Sequence, residues 1–292
     1  MSKTQVLLPI VGAVEKADDF LGGHRTWQAV NTTQGQFLDR IYRPTSTLVQ
    51  AIPEIESVAA RSAEEINAFL LKKGFSIRLD PFTDPRDFGV ASVLDVLVEW
   101  IERGDVHPIR AMGRQFEGVR IPVKRRRVAF LHDRAFPNPI ACLTTKSGDR
   151  VYLTVLDASR VPDLIASSER LPSLDHSGEK RGFGGVIFPM VSLDQEVDIS
   201  WLRGLSTIGT DGLLAIVTQA LQQTKFRMNE VGARAESAVA LGVMRGAAMR
   251  PDPDLIIDQP FCCWIERPGI PVPLFFGHIT EEDWRNPGSL GR

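Results

Sequence analysis

The chain of 292 residues is long enough to bury a full core as one large or two small domains, and with 43% hydrophobic and 24% charged residues it reads as globular. Its 34 Lys and Arg nearly balance its 36 Asp and Glu, so a net charge of −2 supplies no general field for capturing nucleic acid or an anionic membrane. Cys142, Cys262 and Cys263 form an odd set without C-x-x-C spacing or a His-rich segment, which excludes a disulfide framework and a zinc site and predicts buried thiols. No metal and no cofactor is expected. The apolar run at the N-terminus is broken by Pro9 and too short for the core of a signal peptide. No run approaches the roughly 20 apolar residues of a membrane helix, so a cytoplasmic protein is expected.

In chain order, Ile55, Val58, Ala59, Ile66, Phe69 and Leu70 carry a helical period over residues 55–73, with Gly74 as its stop. Phe75-Ser-Ile-Arg-Leu79 alternates apolar and polar like a half-buried strand. Val90 to Ile101 is a near-continuous apolar run, interrupted by Asp95 and Glu99, and predicts a central strand covered on both faces. Ile121-Pro-Val starts another strand. Residues 139–145 and 150–156 form a hairpin around Ser147-Gly-Asp149. Further strands are expected at Gly185 to Met190, Ala220 to Glu230, Phe261 to Ile265 and Leu274 to Ile279. The long loop Leu241 to Asp254, with Pro251 and Pro253, is expected to be mobile.

The last third carries the most specific signal. Phe226-Arg-Met-Asn-Glu-Val-Gly232 leads into the small-residue run Ala233 to Ala240; Asp258-Gln-Pro-Phe261 and Pro273-Leu-Phe-Phe-Gly-His278 follow. This order resembles the C-terminal region of a serpin: a strand ending in an acidic-Gly hinge, a reactive loop, a "(D/N)-x-P-F" strand and an "L-F-x-G" strand. The resemblance extends back to about residue 75. Val90 to Trp100 resembles the family's long central strand, Ile121-Pro-Val its "V-x-V-P-M-M" strand with Arg125 to Arg127 in place of the methionines, and Phe188-Pro-Met its "L-P-K-F" strand. Asp198 to Ile208 resembles the helix that follows, and Tyr42-Arg-Pro-Thr-Ser46 the buried "F-S-P-x-S" segment.

The fold implied is α+β: a truncated serpin-like fold, with a mixed main β-sheet packed on a smaller antiparallel barrel-like sheet from residues 120–156, 185–190 and 255–280, and few N-terminal helices. Residues 1–292 form a single domain, with a reduced helical part at 1–74 and a β-rich core at 75–292 that includes the loop 233–254. Asp80-Pro-Phe-Thr-Asp-Pro-Arg-Asp87 runs directly into the next long strand, so the helix that covers the family's main sheet is expected to be missing. Residues 1–50 are too few for its usual first helices. Such deletions expose part of a sheet face or edge, whose unpaired N–H and C=O groups must be blunted or used.

Two functions follow from the resemblance. A serpin inhibits a protease by inserting its cleaved loop as a new central strand, a form of strand addition. Here the hinge would be Glu230, Gly232, Ala233 and Ala235, with Arg245 as bait before Gly246-Ala247 and a serine or cysteine protease as target. Against inhibition, Ala233 stands where inhibitory members carry Thr or Ser, and Glu236 where they carry a small residue. The favoured reading is a peptide-binding module, because a sheet that accepts its own loop can accept a separate extended peptide. The chain is similar to short serpin-like proteins that bind precursor peptides in bacterial pathways modifying ribosomally made peptides. That similarity implies a precursor peptide and its modifying enzymes as partners, and no catalytic activity.

The walls of the binding cleft would be Val90–Trp100 and Leu221–Glu230. On the first, Asp95 and Glu99 are four apart and on one face of a strand, an acidic pair for a basic peptide side chain, with Val98 and Trp100 beside Glu99. On the second, Gln223, Lys225, Arg227 and Asn229 form a polar stripe at period two, a pattern that the solvated side of an antiparallel sheet also produces. Arg120 and Lys124 to Arg127 could grip an acidic peptide or a phosphate, though a solvated strand end is the favoured reading. The histidines are scattered without a nucleophile, and Gly182-Phe-Gly-Gly185 lacks the Lys-Ser/Thr of a phosphate loop. Exposed edges make a homodimer as compatible with the sequence as a monomer.

Overall fold

The computed structural model describes residues 1–84, 86–95, 98–123, 128–133, 136–166, 182–232 and 252–290. A two-residue strand β1 (Lys3–Thr4) precedes helix α1 (Leu8–Phe20), which carries Pro9 in its first turn, where a missing N–H costs nothing. Asn31 caps α2 (Thr32–Phe37) by accepting from the Gln34 amide at 2.9 Å, and a π-type turn (Leu38–Tyr42) carries the chain into α3 (Arg43–Val49). Three helices fit into the first 50 residues, in keeping with the few N-terminal helices expected. They are short, and α2 and α3 share one nearly continuous backbone. Thr45 and Ser46, in the segment matched to "F-S-P-x-S", are buried in α3.

The predicted helix over 55–73 divides in two. Ile55–Ala60 is strand β2 and only Ala63–Lys72 is helical, as α4. The Ser62 hydroxyl accepts from the Glu65 amide and starts α4 where the strand ends. Gly74, at φ +84°, closes it as expected: its amide bonds the Leu71 carbonyl, and the Phe75 amide reaches back to Leu70, both at 2.9 Å.

Strand β3 is Gly89–Leu94, shorter than the predicted Val90–Trp100, and no helix intervenes among the described residues between α4 and β3. Next come β4 (Asp105–Ala111), β5 (Arg114–Pro122), β6 (Val128–Leu131), β7 (Ile140–Thr144) and β8 (Arg150–Val155). Ile121 therefore ends a strand rather than starting one. Then follow β9 (Gly185–Pro189), β10 (Val191–Val197), β11 (Ser206–Ile208), β12 (Leu214–Ile216) and β13 (Gln222–Met228). The helix expected over 198–208 is only a 3-10 turn, Ser200–Leu202, before β11. The chain closes with β14 (Leu255–Ile256), β15 (Phe261–Glu266) and β16 (Phe275–Ile279).

The main sheet is present as two antiparallel ribbons, β2–β3 and β10–β13, with no hydrogen bonds between them among the described residues. A six-stranded antiparallel sheet, in the order β1-β16-β15-β8-β7-β6, contains the predicted β7–β8 hairpin. Strands β9 and β14, expected in that sheet, instead join a four-stranded mixed one, β14-β9-β5-β4, because β9 pairs with β5. The predicted long loop lies mostly outside the described residues, which stop at Gly232 and resume at Asp252, as do the basic residues 124–127.

One face of the six-stranded sheet is aromatic, with Trp264 stacked between Tyr152 (centroids 4.9 Å apart) and Phe136 (5.5 Å). All three cysteines are buried and unbridged, as predicted. Burial pushes the Cys262 thiol up to about 12 and raises that of Cys263 as well. Thiolate chemistry is therefore suppressed in the native state. Iodoacetamide should label Cys262 and Cys263 only at the rate of unfolding; rapid labelling of either in the native protein would contradict this packing.

Candidate functional site

The ribbon β2–β3 is sandwiched: Ala91 and Val93 pack on Ile66 and Leu70 of α4, while Val90 and Leu94 join the main core on the α1 side. Burial on both faces explains the apolar run in the sequence. In the second ribbon, Thr224, Phe226 and Met228 point inward and Lys225 and Arg227 outward. Phe226 stacks on Phe275 at 4.2 Å.

Between the ribbons lies a cavity of about 200 Å³, lined by β3 from Val90 to Leu94 and by the chain from Gln219 to Phe226, with α1 behind and Phe75, Ile77 and Leu79 in front. Among the described residues β3 pairs only with β2, and β13 only with β10. Among the described residues, each ribbon thus leaves the edge that it turns toward the cavity unpaired.

One end of this cleft is clasped shut. Beyond β13, Asn229 and Gly232 exchange backbone bonds at 3.0 and 3.3 Å, and Glu99 bridges to Gly232. The Trp100 and Gly104 amides donate to the carbonyls of Val231 (3.3 Å) and Glu230 (2.7 Å), and the buried Trp100 indole N–H donates to Asn229 at 3.0 Å. Arg103 pairs with Glu230 at 2.7 Å and Lys146 with Glu99 at 2.8 Å. Gly232 has φ +123°, and a Cβ there would lie 2.7 Å from Glu99 Cα, Trp100 N and Val98 O. Only glycine fits.

The structure therefore gathers Val98, Glu99, Trp100, Asn229, Glu230 and Gly232 into the clasp. Asp95 is exposed just beyond the β2–β3 ladder, which ends at the Ile55–Leu94 pair, and Glu99 turns toward Lys146. Gln223, Lys225 and Arg227 share the outward face of β13, but Asn229 is buried and holds the clasp, its amide donating to Gly288 at 3.1 Å. Ala233, Ala235, Arg245, Gly246 and Ala247 lie outside the described residues. Arg120 is paired with Asp254 at 2.7 Å and so is not a free anion site.

The predicted strand Phe75–Leu79 is not paired as one, although its burial alternates as expected, with Phe75, Ile77 and Leu79 half-buried and the residues between exposed. Its backbone is held by side chains. The Ser76 and Ile77 amides donate to Gln223 Oε1 at 2.7 and 3.3 Å, Gln219 exchanges two bonds with the Asp80 backbone, and Lys225 Nζ donates to the Gly74 carbonyl at 2.7 Å. Asn67 of α4 makes two more to Leu79. Sequence reading missed Gln219 and Asn67; the only available signal was that Gln219 extends the period-two stripe of Gln223 and Lys225.

Elsewhere, one ligand atom each of Glu15, Asp18 and His24 lie within 4.8 Å of one another. Asp18 already accepts from the Trp27 indole at 2.8 Å and the Tyr42 hydroxyl at 2.9 Å, so the cluster knots the helices together. Burial and the two carboxylates raise the Tyr42 hydroxyl far above its ordinary value and keep it a donor.

No family model matches the sequence. Among curated proteins, the chain is 25% identical over 186 residues to plasminogen activator inhibitor 1 of Bos taurus, covering 58% of this chain and 40% of that protein. It is 28% identical over 143 residues to the same inhibitor of Sus scrofa, covering 44% and 32%. The chain thus matches less than half the length of either relative. Its structure superposes on Serpin48 of the insect Tenebrio molitor with a TM-score of 0.58 at 12% identity, covering 96% of this chain and 91% of that one. The serpin of Schistosoma mansoni gives 0.61 at 10% identity, covering 96% and 95%. A thyroxine-binding globulin in complex with thyroxine gives 0.57 at 12%, covering 98% and 93%. With its helices few and its main sheet divided into two ribbons, the chain has the serpin fold.

Proposed function

We propose that this protein is a non-enzymatic peptide binder that takes an extended peptide into the cleft between β3 and β13 by strand addition. The observation that carries the reading is the pair of strand edges, unpaired among the described residues, that face one apolar cavity. Such edges offer backbone partners along the whole length of a ligand strand, and the cavity offers apolar contact for alternate side chains. The ligand we assign is the precursor peptide of a ribosomally made natural product, held for its modifying enzymes in the bacterial cytoplasm. The clasp at Trp100 and Gly232 would fix one end of the cleft while the rest admits the peptide.

A second reading rests on the similarity to plasminogen activator inhibitor 1: the entering strand would be the chain's own loop after cleavage by a protease. Thermal melts separate the two. The probe is a synthetic peptide with the sequence of residues 233–244, added to the intact protein. Strand addition predicts a rise in stability of about 2.7 kcal/mol at a hundredfold excess over the dissociation constant. Limited proteolysis within residues 241–250 should by itself leave the melt unchanged. A large rise on cleavage alone would instead establish the inhibitor, and no response to either treatment would dismiss strand addition.

A further inference from the structure

The segment Gly74–Asp80 crosses the front of the cleft without belonging to any sheet. None of residues 76–80 makes a backbone–backbone hydrogen bond among the described residues. Every polar contact on the cleft side comes from the tips of long side chains: Gln219, Gln223 and Lys225 of the β13 arm. Lys225 also lies 5.7 Å above the Phe75 ring. Gln223 is itself held in place, donating to Asp194 at 2.6 Å. Meanwhile Phe75, Ile77 and Leu79 line the cavity.

Resting on the peptide-binding reading above, we infer that Gly74–Asp80 is an intramolecular stand-in for the ligand, and that the cleft selects extended peptides with apolar residues at three alternate positions, the first aromatic. Glutamine and lysine tips bonded to main-chain atoms recognise a backbone, whatever its sequence. Apolar side chains at period two fill the pockets, and these set the preference. Because the strap lacks ladder bonds, a peptide that reaches the edges of β3 and β13 exchanges a few exposed side-chain bonds for a cooperative ladder. The strap then leaves, and Gln219, Gln223 and Lys225 are released to hold the newcomer.

The test uses the full chain and a triple variant, Phe75→Ser, Ile77→Ser and Leu79→Ser, which empties the pockets without touching β3 or β13. Fluorescence anisotropy follows three labelled peptides: the sequence of residues 73–81, the same residues reordered so that Phe, Ile and Leu are contiguous, and the sequence of residues 233–244. The strap peptide should bind the variant at least tenfold more tightly than the wild type, and the reordered peptide should not bind. Equal binding of the reordered peptide overturns the inference. So does failure of the strap peptide on both proteins while 233–244 binds, an outcome that leaves the peptide-binding reading standing. If none of the three binds either protein, that reading itself falls. Should the variant not melt cooperatively, hydrogen exchange on the wild type decides. The amides of Ser76, Ile77 and Asp80 should lose protection when peptide 233–244 is added, and unchanged protection overturns the inference.

Discussion

Arg267→Met should lower the stability of the protein by about 3–5 kcal/mol at neutral pH, because it strips the shared cation from two partly buried carboxylates. Arg267 makes four bonds, to Glu54 at 2.7 and 2.8 Å and to Asp149 at 2.8 and 2.9 Å. Asp149 is 1% exposed, so loss of Arg267 leaves a carboxylate without its cation in a largely buried place. The network ties the entry to β2, the turn of the β7–β8 hairpin and the exit of β15, linking the main sheet to the six-stranded one. A change of this size would lower the melting temperature by on the order of 10 °C.

The pH dependence has a definite sign. The Arg267 guanidinium holds Glu54 below the ordinary carboxylate range. For Asp149, burial works upward but is outweighed by hydrogen bonds from Arg267 and Ser147, so it too is lowered. A carboxylate with a depressed folded-state pKa contributes stability that is fully present above its unfolded value, about 4, and lost as pH falls through the lower folded value. The gap between wild type and Arg267→Met should therefore be widest at pH 7 and shrink in acid below about 4. Urea titrations at pH 7 and pH 3 measure both; a neutral-pH difference below about 1 kcal/mol would mean that the network is solvated rather than buried.

Gly232→Ala is expected to cost about 3 kcal/mol, from a strained positive φ and from a methyl group forced onto backbone. All three atoms it would strike, in Val98, Glu99 and Trp100, belong to the main chain and cannot swing aside. The damage should be local. Hydrogen exchange at the Trp100 and Gly104 amides should accelerate, since their acceptors at residues 230–231 move with Gly232, while β8 and β15 keep their protection. Unchanged exchange at Trp100 with an intact melt would show that the clasp does not depend on this glycine.

Much of the β-structure was legible because its signals are local. The β7–β8 hairpin, β9, β13, β15 and β16 appear where alternation, turn residues and the C-terminal motifs place them, and Gly74 ends α4 as its position after Lys72-Lys73 predicts. The serpin fold itself was readable from the order of Asp258-Gln-Pro-Phe261 and Leu274-Phe-Phe-Gly277. Residues 55–60 were misread because a short stretch of Ile, Val and Ala fits either period; pairing with residues 89–94 decides for strand.

The site was legible only in part. Gln223, Lys225 and Arg227 share a face because β13 is an unbroken pleat, whereas Asp95 stands exposed just past the β2–β3 ladder and Glu99 pairs with Lys146 of the hairpin turn, a partner 47 residues away that no local window shows. Gln219 and Asn67 gripping a strap, and Arg267 reaching Glu54 and Asp149 from 213 and 118 residues away, leave no mark on any local window. The sequence by itself determined the order of elements, the buried cysteines and the family of folds, since periodicity, turn chemistry and short motifs act within a few residues. Only the tertiary structure decided that the main sheet parts into two ribbons, that a non-strand segment fills the gap, and that a glycine clasps its end. Those outcomes depend on which backbone groups distant segments leave unpaired, and that is settled only when the chain is packed.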